Sequence, residues 1–184
     1  MGVDAAQAKT LFSVSKDTSR ADLEKLFHSL IEENGQSLFR LAAGFTNSRA
    51  DCDDLFQEMV LAIWQALPNF RAESSVRTYL FRIARNRAIA FLISRRKMQS
   101  EDETPLVADH RPDPQQQMEA KEKREELLNS VRRLPFAYRD VITLALEGLS
   151  YAEIADILGL SETNVGARLN RAKLALKPLL EKGK

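Results

Sequence analysis

The sequence predicts an all-α protein, built as two small helical domains joined by a flexible linker. Apolar residues recur at steps of three and four, no alternating strand pattern appears, and a polar segment with three prolines and many acids divides the chain. We expect an N-terminal tail over residues 1–20, a first domain over 21–97, an acidic Pro/Gln-rich linker over 98–118 and a second domain over 119–184.

The first domain begins with a helical period of leucines. An apolar stripe over residues 55–67 predicts the next helix, which Pro68 ends. A serine at the end of the loop 68–75 can cap a third helix that runs to about Lys97. On this third helix we expect a core face and an opposite face of arginines interleaved with apolar side chains. The expected core positions are Val76, Leu80, Ile83, Ala84, Ala90 and Phe91, and the expected opposite positions are Arg82, Arg85, Arg96, Phe81 and Leu92.

The second domain contains four predicted helices, whose ends are marked by proline, glycine and serine. Pro135 ends the first of them and Gly148 the second. Ser150 and Glu153 have the spacing of a capping box at the start of the third helix. Gly159 suits the left-handed conformation that ends a helix, and a serine two residues later can cap the fourth.

The last two helices have the spacing of a helix-turn-helix. In the segment YAEIADILGLSETNVGARLN, a small Ala155 lies where the helices cross, Gly159 follows four residues later, and Val165 six residues after that. The second helix of such a motif lies in the DNA major groove, where its leading end contacts bases and later cations contact phosphates. The candidate DNA-contacting residues are Ser161, Glu162, Thr163, Asn164, Arg168, Arg171 and Lys173. A helical hairpin that contacts another protein is the alternative.

The charges are separated into blocks along the chain. Lys plus Arg number 27 and Asp plus Glu number 26, so the net charge of +1 conceals this separation. The helix over 51–67 carries an acidic stripe suited to a basic partner protein, and the following helix is basic and suited to an unpaired nucleic-acid strand. The stripe comprises Asp51, Asp54, Glu58, Leu61 and Gln65. Taken alone, a solvated surface explains the basic face at least as well, and it is the favoured explanation of the acidic stripe.

The sequence argues against several classes of function. Cys52 is the single cysteine, and no neighbouring cation marks it as a redox switch. His28 and His110 lack metal-ligand or catalytic-triad spacing, and there is no glycine-rich phosphate loop. We therefore expect no enzyme activity, no metal and no cofactor. Because neither a signal peptide nor a membrane-spanning run is present, we expect a cytoplasmic protein without membrane contact of its own.

Two long segments carry a resemblance to a known family. The first is LFRLAAGFTNSRADCDDLFQEMVLAIWQALPNFRAESSVRTYLFRIARNRAIAFLISRRK, and the second is LPFAYRDVITLALEGLSYAEIADILGLSETNVGARLNRAKLALK. They resemble domains 2 and 4 of the bacterial extracytoplasmic-function (ECF) sigma factors of the sigma-70 family, in the family's order. The resemblance covers the chain from about Leu23 to Lys177. It implies a protein that binds core RNA polymerase, recognises the −35 and −10 promoter elements and stabilises the opened −10 strand.

The resemblance also implies roles for individual residues. The stretch DDLFQE matches the family's polymerase-binding helix, and because Leu55 belongs to the core stripe, its exposed neighbours are the better candidates. The residues expected to bind core polymerase are Asp51, Asp54, Gln57, Glu58 and Leu61. The residues expected to hold the −10 strand are Asn69, Phe70, Arg71, Ser74, Ser75, Arg77, Tyr79, Arg82, Arg85 and Asn86. Binding unpaired bases there offsets an unstacking cost of a few kcal/mol per base.

Partners and alternatives follow from the same comparison with the family. It implies an anti-sigma factor that covers the polymerase-binding faces, and a linker that runs towards the nucleic-acid channel of the polymerase. The chain departs from the family at Ala90, where many members have Asp, and at Gly166 and Ala167, where many have Lys and Ser. No role is carried over to these positions. The alternatives are a stand-alone helix-turn-helix regulator and an adaptor that binds polymerase without reading promoters.

Overall fold

The computed structural model describes residues 19–99 and 125–181, with side chains in the first range described as far as Arg95. The helices are α1 (Arg20–Phe45), α2 (Arg49–Ala66), a 3-10 turn (Leu67–Asn69), α3 (Val76–Gln99), α4 (125–132), α5 (Phe136–Leu146), α6 (Tyr151–Leu158) and α7 (Glu162–Glu181). No strand occurs in these two ranges, so the all-α prediction is confirmed for them. The predicted tail up to residue 18 and the linker from residue 100 to 118 lie outside the described residues.

The end of α3 and the apolar character of the helices both bear on the sequence predictions. The backbone of α3 remains helical to Gln99, two residues into the segment expected as linker. None of the helices in the described ranges combines the length and the apolar character that crossing a membrane requires.

Five helices in the described ranges begin at a serine side chain. In each, the serine Oγ accepts a hydrogen bond from the backbone N–H three residues later, which satisfies a donor that the first helical turn leaves unpaired. The pairs are Ser19 with Asp22, Ser48 with Asp51, Ser75 with Thr78, Ser150 with Glu153 and Ser161 with Asn164. The caps predicted at the starts of α3, α6 and α7 are confirmed.

The helices α1, α2 and α3 pack around a common apolar core. Its largest fully buried side chains are Leu38, Leu41, Leu55, Met59, Ile63, Leu80 and Phe81. The expected orientation of α3 is wrong in part, because Phe81 is buried in the core and Ala90 is exposed. α3 packs against both α1 and α2, so its buried arc is turned towards Phe81 and Ala88. Phe81 therefore does not interleave with the exposed arginines.

The helices α6 and α7 form the predicted helix-turn-helix. Gly159 has φ 65° and ψ 40°, the left-handed conformation in which a Cβ atom is strained, and it ends α6. The Leu160 N–H then donates to the Ala155 carbonyl at 3.0 Å, which closes the turn. Ile154 and Val165 are fully buried between the two helices and the rest of the second domain. This core fixes the direction in which the start of α7 points.

The two domains also pack directly on each other. α1 contacts α5, and α3 contacts α6. α1 approaches α5 closely at Gly44, where an added Cβ atom would lie 3.0 Å from Cγ2 of Thr143 and 3.8 Å from its Cβ. Nearby, Arg132 Nε donates to the Ala43 carbonyl at 3.0 Å. Nothing in the sequence predicts this packing, and it decides which candidate residues are accessible.

Candidate nucleic-acid interface

The leading end of α7 presents consecutive polar side chains to solvent. Ser161, Glu162, Thr163 and Asn164 are all exposed. The Ser161 cap fixes the first turn from which they project. Arg168 Nε donates to Asn164 Oδ1 at 3.1 Å, which directs the NH₂ group of the Asn164 amide away from Arg168. An asparagine amide can pair with the edge of adenine and a glutamate can accept from cytosine, so this end has the chemistry for base reading.

The cations of α7 do not share one surface. Successive residues of an α-helix are about 100° apart around its axis, so Asn164, Arg168 and Arg171 lie on one side. Lys173, two residues beyond Arg171, is directed to another side. Arg171 and Lys173 are both exposed and Arg168 is half-buried. The structure therefore groups Arg168 and Arg171 with the leading end and separates Lys173 from them.

Gly166 lies beside the ring of Tyr151, the first residue of α6. A Cβ atom at position 166 would lie 3.4 Å from Tyr151 Cε2, at the edge of ordinary van der Waals contact. Position 166 is helical and is not among the positive-φ glycines. The backbone conformation therefore does not require glycine at this position.

Three of the four arginines expected to hold the −10 strand contact the second domain, namely Arg77, Arg82 and Arg85 of α3. The contacts join Arg77 Nη2 to the Glu147 carbonyl at 2.5 Å, Arg82 Nη2 to Asp156 Oδ2 at 2.5 Å and Arg85 Nη2 to Asp140 Oδ2 at 2.7 Å. Arg85 Nε adds a second hydrogen bond to the Asp140 carboxylate at 3.1 Å. The side chains of Arg85 and Asp140 are 19% and 6% exposed, whereas those of Arg82 and Asp156 are 37% and 46% exposed. The basic face of α3 is thus covered by acidic groups.

Glu147 is held by the first domain from two sides. Its carboxylate accepts from Arg40 of α1, at 2.9 Å from Nε and 2.6 Å from Nη2, and its carbonyl accepts from Arg77 of α3. The Glu147 side chain is 3% exposed. The hydrogen bond to Glu147 raises the pKa of Arg40, against the opposing effect of desolvation. This residue directly follows α5 and directly precedes Gly148, so it lies at the start of the turn into the helix-turn-helix.

Glu153 is the fourth acidic residue of the second domain that contacts the first domain. Its carboxylate accepts from the Ser150 N–H at 2.9 Å and from Thr78 Oγ1 at 3.4 Å. Burial alone raises the pKa of Glu153, but the hydrogen bonds from Ser150 and Thr78 and the positive charge of Arg77 outweigh burial and lower it below its ordinary value. The carboxylate is therefore stabilised in its charged form.

The loop between α2 and α3 divides its predicted strand-binding residues into two groups. In the loop, Asn69, Arg71 and Ser75 are exposed and Ser74 is half-buried. On α3, Arg77 is half-buried and Asn86 is exposed. Phe70 is 3% exposed and its ring centre lies 5.0 Å from that of Tyr79, whose hydroxyl donates to the Ala66 carbonyl at 3.0 Å. The prediction that Phe70 is available to a base is wrong for this conformation, because the ring packs beneath α3.

The acidic face of α2 is mostly accessible. Asp54, Gln57 and Leu61 are exposed, and Glu58 is half-exposed, 3.9 Å from Arg87 of α3. Asp51 differs from the prediction, because it is buried and forms an ion pair with Arg95 of α3. It follows the Ser48 cap in the first turn of α2, where the end of α3 packs over it. The accessible part of the predicted polymerase-binding surface therefore begins at Asp54.

Cys52 is a buried packing residue. Its Sγ lies 3.8 Å from the Phe39 carbonyl, and burial raises the pKa of its thiol. A protonated, buried thiol reacts slowly. Within the described ranges, no group of three or more His, Cys, Asp and Glu side chains is placed to hold a metal ion.

Sequence reasoning missed the acidic residues of the second domain that contact the first domain, namely Asp140, Glu147, Glu153 and Asp156. One signal was available. In the segment FAYRDVITLAL, Asp140 directly precedes the buried Val141 and lies one turn before the buried Leu144. An acid at the edge of an apolar stripe needs a partner when buried. The identity of that partner, on a different domain, depends on tertiary packing.

Two family models match the chain. The model of sigma-70 region 2 matches residues 30–98, and the model of sigma-70 region 4 matches residues 124–176. The chain is 31% identical over 168 residues to the RNA polymerase sigma factor CnrH of Cupriavidus metallidurans, covering 86% of this chain and 88% of that protein. It is 30% identical over 164 residues to the ECF RNA polymerase sigma-E factor of Escherichia coli K12, covering 83% of this chain and 85% of that protein.

Solved structures share the fold. CnrH in complex with the cytosolic domain of CnrY matches with a TM-score of 0.68 at 24% identity, covering 96% of this chain and 99% of that chain. The sigma factor RpoE of Bartonella quintana in complex with the anti-sigma factor NepR matches with a TM-score of 0.65 at 20% identity, covering 83% of this chain and 97% of that chain.

Proposed function

The chain belongs to the RNA polymerase sigma factors of the sigma-70 family, of the ECF type, and we propose that three of its surfaces divide promoter recognition between them. The leading end of α7 reads the −35 element, the loop before α3 together with α3 holds the opened −10 strand, and the exposed face of α2 binds core polymerase. The observation that carries this division is the exposed, capped start of α7, which is the reading end of a helix-turn-helix.

For the −35 element, the proposed contacts are of two kinds. Glu162 and Asn164 provide acceptor and amide groups for base edges, while Arg171 provides a cation for a phosphate. Arg168 orients the Asn164 amide through its 3.1 Å hydrogen bond and contributes charge beside it. Lys173 lies on a different side of α7 and is assigned only to a flanking phosphate.

For the −10 element, the proposed mechanism needs no chemical step on the DNA. Asn69, Arg71 and Ser75 in the loop, with Ser74 beside them and Asn86 on α3, offer polar groups to unpaired bases. Arg77, Arg82 and Arg85 neutralise the phosphates of the same strand when they are released from the second domain. Binding energy gained on the unpaired strand stabilises the open promoter. The protein thus acts by binding, without a catalytic residue or cofactor.

For core polymerase, the proposed contact surface is Asp54, Gln57, Glu58 and Leu61. Leu61 is 56% exposed, and Gln57 and Glu58 lie one turn before it on α2. An exposed apolar side chain on the same face as Asp54 and Glu58 suits a basic protein surface. Asp51 contributes by holding α3 through Arg95 and not by direct contact.

The proposed partners and location follow from the family. The two solved neighbours are complexes, of CnrH with the cytosolic domain of CnrY and of RpoE with the anti-sigma factor NepR. We extend this to an anti-sigma partner for the present chain, which would cover the polymerase-binding surface. RNA polymerase is the site of action, so a cytoplasmic location is proposed.

The proposed function is tested by transcription in a purified system. The protein is added to core RNA polymerase with a fragmented genomic library as template, and transcript starts are mapped. We expect starts that share a −10 and a −35 element and depend on the added protein. Asn164→Ala serves as the impaired variant, and Glu181→Gln, at the far end of α7, is the matched control. Absence of protein-dependent starts would overturn the proposal.

The alternative of a stand-alone regulator makes a different prediction. Such a protein binds duplex DNA alone and as a dimer. Electrophoretic shift and light-scattering measurements without polymerase decide between the two. Specific duplex binding by a dimer would support the regulator and count against the sigma-factor mechanism.

A further inference from the structure

The covered face of α3 and the covering groups of the second domain are complementary in charge and in geometry. The carboxylate face is defined here as Asp140, Glu147, Glu153 and Asp156. Its members or their backbones contact Arg40, Arg77, Thr78, Arg82 and Arg85 of the first domain. Three of these five are the arginines proposed to neutralise the −10 strand.

We propose that the carboxylate face is an internal docking surface for Arg40 of α1 and the basic face of α3, and that it holds the chain in a closed state that cannot bind the −10 strand. This rests on the proposed function, because it takes the arginines of α3 to be strand-binding. The carboxylates of Asp156 and Asp140 and the carbonyl of Glu147 occupy the places of strand phosphates at Arg82, Arg85 and Arg77. Opening of the domains is then a required step before the −10 strand is held.

The closed state and strand binding exclude each other because both use the same hydrogen-bond donors of Arg85 and Arg77. Arg85 directs both Nε and Nη2 at Asp140, the same pair of groups that a guanidinium uses to bind a phosphate. Arg77 directs Nη2 at the Glu147 carbonyl. A strand phosphate at either position must displace the second domain. The closed state and the strand-bound state therefore compete for the same atoms.

The strength of closure is unevenly distributed. Arg85 with Asp140 and Arg40 with Glu147 are multiple contacts to carboxylates that are 6% and 3% exposed, so loss of the arginine leaves a buried, unpaired carboxylate. Arg82 with Asp156 is half-exposed, so solvent screens it and it contributes little. The two buried pairs are accordingly the ones that hold the domains together. The leading end of α7 remains exposed throughout, so closure affects the −10 function and leaves the −35 reading end accessible.

The closed state is tested by a reversible cross-link. Gly44 and Thr143 face each other, and an added Cβ at 44 lies 3.8 Å from the Thr143 Cβ, within the usual range for a disulfide. Gly44→Cys and Thr143→Cys are introduced together with Cys52→Ala, which removes the native thiol. We expect the oxidised protein to form this disulfide in high yield under native conditions, and to lose transcription with core polymerase by about tenfold or more relative to the same protein after reduction. Little cross-linking in the native protein, or equal activity of the oxidised and reduced forms, would overturn the closed state or its inhibitory role.

A second measurement keeps this test separate from the proposed function. In the same two-cysteine background, Asp140→Asn with Glu147→Gln should slow cross-linking by about tenfold, because Arg85 and Arg40 lose their charged partners across the domain boundary. Glu32→Gln with Glu33→Gln, two exposed acids of α1, is the matched control and should cross-link at the parent rate. Equal rates for the two pairs would sink the carboxylate face as the docking surface. If the reduced protein does not transcribe, the proposed function fails, while the cross-linking rates still decide whether the domains close.

Discussion

Arg85 on α3 and Asp140 on α5 form a two-bond ion pair across the domain boundary, at 3.1 Å from Nε and 2.7 Å from Nη2. The Asp140 side chain is 6% exposed. A carboxylate in this position is tolerated because a guanidinium satisfies it, and removal of the guanidinium leaves a buried, unpaired charge.

The first prediction concerns this pair. Arg85→Ala should lower the free energy of unfolding by about 3 kcal/mol, because Asp140 loses its partner in a site that water hardly reaches. Urea denaturation of the purified protein provides the measurement. Arg87→Ala is the matched control on the same helix, since Arg87 lies 3.9 Å from a half-exposed Glu58, and we expect it to cost under about 1 kcal/mol. Equal losses in the two variants would contradict the assignment.

The second prediction is a pH dependence that originates at Glu153. Hydrogen bonds lower its pKa in the folded state below the ordinary value of 4.5, so the carboxylate stabilises the fold fully above pH 4.5 and loses this contribution as the pH falls through the folded-state pKa. Glu153→Gln should therefore flatten the decline of thermal stability in that acid range. The measurement is a series of melting curves of both proteins at different pH values. If the melting temperatures of both proteins decline equally with falling pH, Glu153 is not a source of the pH dependence.

The third prediction is a stabilising substitution at Gly166. Alanine has a higher helix propensity by about 1 kcal/mol, and its Cβ meets only the half-exposed ring of Tyr151, at 3.4 Å. We expect Gly166→Ala to raise the melting temperature by a few degrees. Gly148→Ala is the contrasting variant, because Gly148 has φ 76° and alanine is strained there. A lower melting temperature for Gly166→Ala would show that Tyr151 cannot move.

The fourth prediction separates base reading from phosphate binding on α7. Asn164→Ala should reduce the discrimination between bases at one base pair of the −35 element by about 1–3 kcal/mol of binding free energy, with little effect at other positions. Arg171→Ala should weaken binding to all promoters by a similar factor. It should also reduce the slope of log K against log salt concentration by about one, because one phosphate contact is lost. Open-complex formation by the holoenzyme on promoters with single base changes measures both effects. A uniform effect of Asn164→Ala would remove it from the base-reading group.

The fifth prediction concerns the acidic face of α2. Asp54→Lys with Glu58→Lys should strongly reduce co-elution with core polymerase, since both charges are reversed on an accessible surface, while the circular dichroism spectrum is kept. Glu32→Lys with Glu33→Lys on α1 reverses the same number of exposed charges outside the face and should elute with the polymerase as the parent does. Unchanged co-elution of the α2 variant would remove the face from the polymerase interface.

Much of the fold was predictable because its signals are local. The serine caps at Ser75, Ser150 and Ser161 and the left-handed Gly159 act within a few residues of chain, and each occurs as expected. The face of α3 was misjudged because the buried arc depends on two packing partners, and this placed Phe81 inside.

The candidate site was predictable only where a single helix end forms it. The exposed start of α7 follows from its motif and its cap. The accessibility of Arg85 and the burial of Asp51 and Phe70 depend on which elements pack against them. Residues far apart in sequence, such as Asp140 and Arg85, become partners only through the docking of two domains, for which no local pattern exists.

Glu147 and Gly148 place a turn of the chain directly beside two contacts between the domains. Gly148, at φ 76°, is where the chain changes direction between α5 and the helix-turn-helix, and the residue before it is tied by its carboxylate to Arg40 and by its carbonyl to Arg77. A rotation of α6 and α7 about Gly148 would strain both contacts of Glu147, the one to Arg40 and the one to Arg77. In the proposed mechanism, engagement of α7 by a promoter and release of Arg77 for the strand are therefore linked through the single residue Glu147.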